Sequence, residues 1–103
     1  MSELPDFREM LAQAREMQGK LEQVQRTLAQ RRVEGAAGGG MVRAVANGEM
    51  RILEVHIEAA LFESGDRAML QDLVAAAVND ALQNAQGMMQ EELQRTANLP
   101  GGA

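Results

Sequence analysis

The sequence predicts an α+β protein of order α-β-β-β-α, in which two long helices flank a three-stranded antiparallel sheet. Three patterns support this fold class: a heptad repeat of apolar residues at the start, an alternating pattern in the middle, and a wide helical stripe towards the end. A chain of 103 residues makes only a modest core. We therefore expect a homodimer, because a second copy can cover the sheet edges and the overhanging first helix.

The first helix is predicted from Pro5 to Gln30. Proline is tolerated in a first helical turn, and the adjacent Asp6 favours the positive end of the helix dipole. The apolar positions alternate in steps of three and four, which is the spacing of a coiled-coil seam. They are Phe7, Met10, Ala14, Met17, Leu21, Val24 and Leu28. This seam needs a partner, either the second long helix of the same chain or a second copy.

Residues 31–58 change to a period of two, which predicts strands. A first strand is expected at residues 32–34, a glycine-rich interruption at 35–40 and a second strand at 41–46. Asn47 and Gly48 predict a type I′ hairpin turn. A third strand is expected from Glu49 to Glu58, and its buried face is predicted to carry Leu53, Val55 and Ile57.

The glycine run does not predict a phosphate-binding loop, because such a loop ends in Gly-Lys-Ser/Thr and opens a helix. Here Met-Val-Arg follows Gly40 and leads into a strand. The glycines are instead expected to form a bulge or to allow the close approach of another backbone.

The second long helix is predicted after a connector at residues 59–65, with Ser64 or Asp66 as its N-cap. Its apolar stripe is two residues wide, so it is expected to cover the sheet with one side and to contact either the first helix or a second subunit with the other. Residues 1–97 are predicted to form a single domain, and residues 98–103 a disordered C-terminal tail.

The composition offers little for catalysis. The chain has no cysteine and one histidine, and His56 is more simply interpreted as a solvated strand residue than as a metal ligand. We therefore expect no enzyme activity, no metal, no cofactor and no small-molecule substrate. The N-terminus does not resemble a signal peptide and no segment is apolar enough for a membrane span, so a cytoplasmic location without membrane contact is expected.

Charge is distributed unevenly along the chain. The formal net charge is −5, but residues 1–51 carry +1 and residues 52–103 carry −6. An anionic partner is therefore expected to contact the first half, where arginine could bind phosphate groups without reading sequence. The basic residues also have purely structural explanations: solubility, i,i+4 pairing of Lys20 and Arg26 with Glu16 and Glu22, and favourable helix-dipole contacts. The only aromatic residues, Phe7 and Phe62, are expected to be buried, which disfavours base stacking.

Three co-linear segments resemble the YbaB/EbfC family of bacterial nucleoid-associated proteins. Residues 13–20 are similar to its QAQ-x-MQ-x-K stretch, and residues 33–48 to its glycine-rich strand segment. Residues 69–81 are similar to its ML-x-DL-x-x-AA-x-NDA signature.

The resemblance implies a homodimer in which long helices project from a shared β core. It also implies a location on the nucleoid and binding of double-stranded DNA with little or no sequence preference. Lys20 and Arg43 match basic positions of the family pattern. The other basic residues of the same region complete the candidate DNA-binding set: Arg8, Arg15, Arg26, Arg31 and Arg32. Arg8 and Arg15 share a helix face, whereas Lys20 and Arg26 are expected to flank the seam.

Two hypotheses follow for the function. In the first, a nucleoid-associated dimer contacts the DNA backbone through the first helix, with effects on nucleoid organisation, gene expression or repair. In the second, the acidic second half binds a protein partner, and the chain is a dimeric adaptor without direct DNA binding.

Overall fold

The structure is a computed structural model that describes residues 6–97. Its elements are α1 (Phe7–Gln30), β1 (Arg32–Ala37), a 3-10 turn (Gly38–Gly40), β2 (Val42–Asn47), β3 (Ile52–Ile57), α2 (Ala59–Glu63) and α3 (Arg67–Ala97). The predicted order is confirmed, with the short α2 as an addition inside the connector. Pro5 and the tail at 98–103 lie outside the described residues.

The molecule measures 77 × 22 × 18 Å, and helix α1 projects from the sheet and α3. Its N-cap is Asp6, whose side chain accepts a hydrogen bond from the Arg8 backbone N–H at 3.0 Å. Only Val24 and Leu28 of the predicted seam are buried. Every residue of the segment 7–21, which we call the arm, is exposed. The protein's own α3 therefore covers only the last turns of the seam.

The sheet has the order β1-β2-β3 and is antiparallel throughout, as predicted. The first strand does not stop at Glu34, however. It continues through Gly35 to Ala37. Gly35 is required at its position because α3 packs so closely there that a Cβ would lie 2.1 Å from the Ala81 nitrogen. The close approach of another backbone was expected at Gly38–Gly40, but a Cβ at Gly39 or Gly40 would meet nothing within 4 Å; it occurs at Gly35 instead. Gly38–Gly40 form a 3-10 turn, to which the interruption is limited.

The predicted type I′ turn at Asn47 and Gly48 is wrong. Residues 48–51 connect the strands, and the positive φ of 66° belongs to Met50. The Asn47 side-chain oxygen accepts hydrogen bonds from the backbone N–H groups of Glu49 and Arg51. The Gly48 N–H donates to the Leu28 carbonyl at 2.8 Å, so this glycine anchors the end of α1.

Strand β3 is irregular and largely exposed. Its register against β2 shifts between Val45 and Ala46, so that Ile52 packs on the core instead of Leu53. Val55 and Ile57 pair with buried residues of β2 and share their face, as predicted, yet they are 40% and 39% exposed. The reason is that α3 lies mainly across β1 and β2.

The core lies between the sheet and α3, and small residues dominate it. Ala77, Ala81 and Ala85 of α3 are fully buried and pack with Val42, Ala44 and Ala46 of β2. Helix α3 starts at the predicted cap Asp66, whose carboxylate accepts from the Met69 N–H at 3.0 Å. Alanines let the helix backbone approach the strands closely, which fixes α3 firmly on the sheet.

Candidate nucleic-acid interface

Three of the candidate arginines form a stripe along the outside of α1. Arg8, Arg15 and Arg26 are exposed, and the spacing of 18 residues between the outer two corresponds to five helical turns. Arg26 thus lies directly above Arg8, about 27 Å away along the axis, and not beside the seam as predicted. The stripe faces away from Val24 and Leu28, which pack inwards.

Four cations of α1 have no ion-pair partner in the part of the chain that the structure describes. Among residues 6–97, no carboxylate oxygen lies within 4 Å of Arg8, Arg15, Lys20 or Arg26. The predicted i,i+4 pairs with Glu16 and Glu22 are therefore not formed. Lys20 lies about a third of a turn from the arginine stripe, on the side of α1 that turns towards α3.

Arg32 and Arg43 lie elsewhere, on the face of the sheet that points away from α3. Arg32 pairs with Glu54 at 2.5 Å, and Arg43 pairs with Glu34 at 3.3 Å. Their charges are partly neutralised by these exposed pairs, each of which contributes little to stability. The structure thus separates both residues from the stripe.

Arg31 belongs to a third group, at the joint between α1 and α3. It ends α1 as its C-cap and donates to the Glu92 carboxylate at 3.4 Å. Arg95, one turn further along α3, lies 3.6 Å from the same oxygen of Glu92. Glu92 is one of two buried polar residues among those described, with 9% of its surface exposed.

The sequence interpretation missed Glu92 and Arg95. Both lie in the half of the chain that has a negative net charge. Counting charges by halves therefore did not show that Arg95 lies close to Lys20 in the folded chain. Their i,i+3 spacing on the second helix was a signal, but only the packing of α3 against α1 gives it meaning.

The two aromatic residues are exposed, which contradicts the expectation that both are buried. Phe7 is 70% exposed near the tip of the arm, and Phe62 is 68% exposed in α2. Phe7 lies in the first turn of α1 and Phe62 in α2, and these two helices do not pack extensively against each other. They therefore do not form a pair on which successive bases could stack.

No helix between residues 6 and 97 is long and apolar enough to cross a membrane. Within the same range, no three histidine, aspartate or glutamate side chains come together as metal ligands would.

Comparisons with known proteins extend these observations. The model of the YbaB/EbfC DNA-binding family matches residues 3–99. A nucleoid-associated protein of Desulfotalea psychrophila is 42% identical over 97 residues, which cover 94% of this chain and 89% of that protein. Nucleoid-associated proteins of Caldanaerobacter subterraneus and Chlorobaculum tepidum are also 42% identical, over 89% and 91% of this chain and 86% and 83% of theirs.

A solved structure has the same fold. The crystal structure of an uncharacterized protein from Helicobacter pylori matches with a TM-score of 0.78 at 20% identity, covering 92% of this chain and 100% of that one. The family model spans nearly the whole sequence, and the relatives match at similar length. The chain belongs to the YbaB/EbfC DNA-binding family.

Proposed function

We propose that the protein binds double-stranded DNA as a homodimer, through contacts of arm cations with the phosphate backbone and with little sequence preference. Nucleoid-associated relatives at 42% identity support the nucleoid, within the cytoplasm, as its place of action. Residues 1–97 act as one domain in this proposal, because the family model spans residues 3–99 without a break.

The observation that carries the proposal is the arginine stripe. A row of exposed guanidinium groups about 27 Å long is a little shorter than one turn of B-form DNA, which is about 34 Å. Guanidinium groups bind phosphate oxygens well, and contacts of this kind are not base-specific. The exposed positions between the arginines include Ala12 and Gly19, which reach no base edge.

Of the seven candidates, four are proposed as the direct contacts: Arg8, Arg15, Lys20 and Arg26. Arg31, Arg32 and Arg43 already have carboxylate partners, so we assign them a supporting contribution to the local potential. The net charge of −5 per chain opposes binding at long range. Binding is therefore expected to be weak and to depend strongly on salt.

The homodimer is supported by apolar surface that one chain leaves uncovered. Val55 and Ile57 on β3 are about 40% exposed, and Met10, Met17 and Leu21 on α1 are at least half exposed. The outer edge of β1 is partly occupied, since Asp80 accepts from the Ala36 N–H and Asn84 donates to the Glu34 carbonyl. Among residues 6–97, no such contact occupies the outer edge of β3. We infer that the second copy covers β3.

The proposal is tested by titrating two unrelated duplexes at low and near-physiological salt, with fluorescence anisotropy as the readout. The parent is compared with R8Q/R15Q and with the matched control R51Q/R67Q, which removes two positive charges outside the arm. We expect equal affinity for both duplexes. We also expect R8Q/R15Q to bind about a hundredfold more weakly and to lower the salt slope by about two, because two phosphate contacts are lost.

Equal losses in the arm and control variants would show that α1 is not the contact surface. No binding by the parent at low salt would overturn direct DNA binding, and the adaptor hypothesis would then be preferred. Sedimentation of V55D tests the dimer, since an aspartate on β3 is expected to shift the mass from two chains to one. An unchanged mass would exclude the β3 interface.

A further inference from the structure

An open cleft of about 200 Å³ lies between α1 and α3 at their joint. Helix α1 contributes Lys20, Gln23 and Thr27 to it, and α3 contributes Glu92, Arg95 and Thr96. The cleft is therefore built from both halves of the sequence. On α1 its lining, which includes Val24, lies about a third of a turn from the arginine stripe.

The cleft has an apolar wall that includes Val24, and its polar groups are mainly hydrogen-bond donors. The Lys20 ammonium, the Arg95 guanidinium, the Gln23 amide and the Thr27 hydroxyl can all donate, whereas the Thr96 hydroxyl already donates to the Glu92 carbonyl at 3.0 Å. Two positive charges with neutral donors beside them suit an oxyanion with several acceptor oxygens, which describes a phosphodiester group.

The one acidic group of the cleft does not cancel this character. The Glu92 side chain is only 11% exposed, and Arg31 donates to it at 3.4 Å. Arg95 is the looser of its two partners, because its side chain is 69% exposed against 39% for Arg31. Arg95 can therefore turn from Glu92 towards a ligand while Arg31 stays and leaves no buried charge unpaired.

We propose that this cleft binds one phosphate group of the duplex that lies on the arginine stripe, with Lys20 and Arg95 as its two cationic ligands. Glu92 is a positioning residue that holds Arg95 at the cleft wall and competes with the phosphate for it. The inference rests on the proposed function and adds to it a contact from α3, on the acidic half of the chain.

The test compares R95Q with R67Q, two variants that remove the same charge from opposite ends of α3. Binding of a labelled duplex is measured across a salt series, with K20Q and K20Q/R95Q in parallel. R95Q is expected to weaken binding about tenfold and to lower the salt slope by about one, whereas R67Q changes neither by more than about twofold. Because both cations hold the same phosphate, the double variant is expected to lose less than the product of the single losses.

The second arm of the test uses E92Q against its exposed neighbour E91Q. An amide still accepts from Arg31 but no longer holds Arg95 by charge, so E92Q is expected to bind DNA several-fold more tightly than E91Q. The gain should vanish in E92Q/R95Q. Equal affinities of E91Q and E92Q would overturn the role of Glu92.

Two results would overturn the cleft itself. If R95Q and R67Q weaken binding equally while the parent binds DNA, the cleft is not a contact and the proposed function stands without it. If the parent does not bind any duplex, the proposed function fails and the cleft fails with it. Inorganic phosphate, added at constant ionic strength, distinguishes the ligand: competition at millimolar concentration would show a site for free phosphate instead of a DNA subsite.

Discussion

The sheet with α3 and the arm of α1 use apolar residues in opposite ways. In the body formed by β1–β3 and α3, the alanines and the valine that lie between β2 and α3 are fully buried, and a glycine in β1 lies against the helix backbone. In the arm, Phe7, Met10 and Met17 are more than half exposed although they follow a regular seam. The layer between the sheet and α3 is thus packed within one chain, whereas the apolar seam of the arm is uncovered among the described residues.

The contrast shows which constraints act on each region. The body fixes distances between backbones, so it is sensitive to single atoms. The arm fixes only the direction in which side chains point, with cations on one side and apolar groups on the other. Substitutions of the same kind should therefore have different effects in the two regions.

The largest expected effect is that of Gly35→Ala in the body. The new Cβ would lie 2.1 Å from the Ala81 nitrogen and 2.6 Å from the Ala77 oxygen, so α3 must move away from the sheet. We expect a loss of about 3 kcal/mol or more in the free energy of unfolding, measured by urea titration. A variant as stable as the parent would contradict the tight packing of α3 on β1.

Leu28→Ala is expected to have the next largest effect, because Leu28 is buried where the arm joins the body. The loss should be about 2–4 kcal/mol. Leu21→Ala, one heptad earlier, is the matched control, since Leu21 is 50% exposed in the single chain. A loss for Leu21→Ala that grows with protein concentration would show that a second copy covers the seam.

Removing the side chains that occupy the β1 edge should have a moderate effect. Asp80→Ala with Asn84→Ala deletes hydrogen bonds of 3.0 and 2.8 Å to β1 and should cost about 1–2 kcal/mol. The control pair is Asp72→Ala with Asn79→Ala, exposed residues of the same two types on the same helix. Equal urea midpoints for the two pairs would show that the edge contacts do not contribute.

The smallest expected effect, of opposite sign, is that of Gly19→Ala in the arm. A Cβ at Gly19 meets nothing within 4 Å, and alanine favours a helix over glycine by up to about 1 kcal/mol. The helix content of the arm should rise, which circular dichroism and slower amide exchange at residues 15–22 would report. A destabilised Gly19→Ala would instead reveal a backbone that approaches the arm in the dimer.

Local patterns predicted the elements of the fold, and tertiary contacts decided where the predictions went wrong. The heptad, the period of two and the Asp66 cap are properties of neighbouring residues, and each was confirmed. The Asn-Gly motif failed because Gly48 is required for close contact with Leu28, which a turn rule does not consider. The bulge at Leu53 likewise depends on pairing across strands.

For the site, the sequence provided the residues but not their grouping. The stripe of Arg8, Arg15 and Arg26 follows from helical spacing. Arg8 and Arg15 were predicted on one face, but Arg26 was predicted beside the seam. Arg32 and Arg43 were included although the sheet carries them to another face. Arg95 could be assigned to the site only from the position of the end of α3 beside α1, which no local sequence pattern gives.

The partly occupied edge of β1 also limits how large an assembly can become. Asp80 and Asn84 use the outward N–H of Ala36 and carbonyl of Glu34, so a strand from another molecule would lose two hydrogen-bond partners at that edge. In the proposed dimer, the outer edge of β3 pairs with its copy, and neither β3 edge is left over. Further growth would then need the partly blocked edge of β1, so we expect assembly to stop at two copies instead of continuing into a fibre. An aspartate and an asparagine on a helix would thereby limit polymerisation.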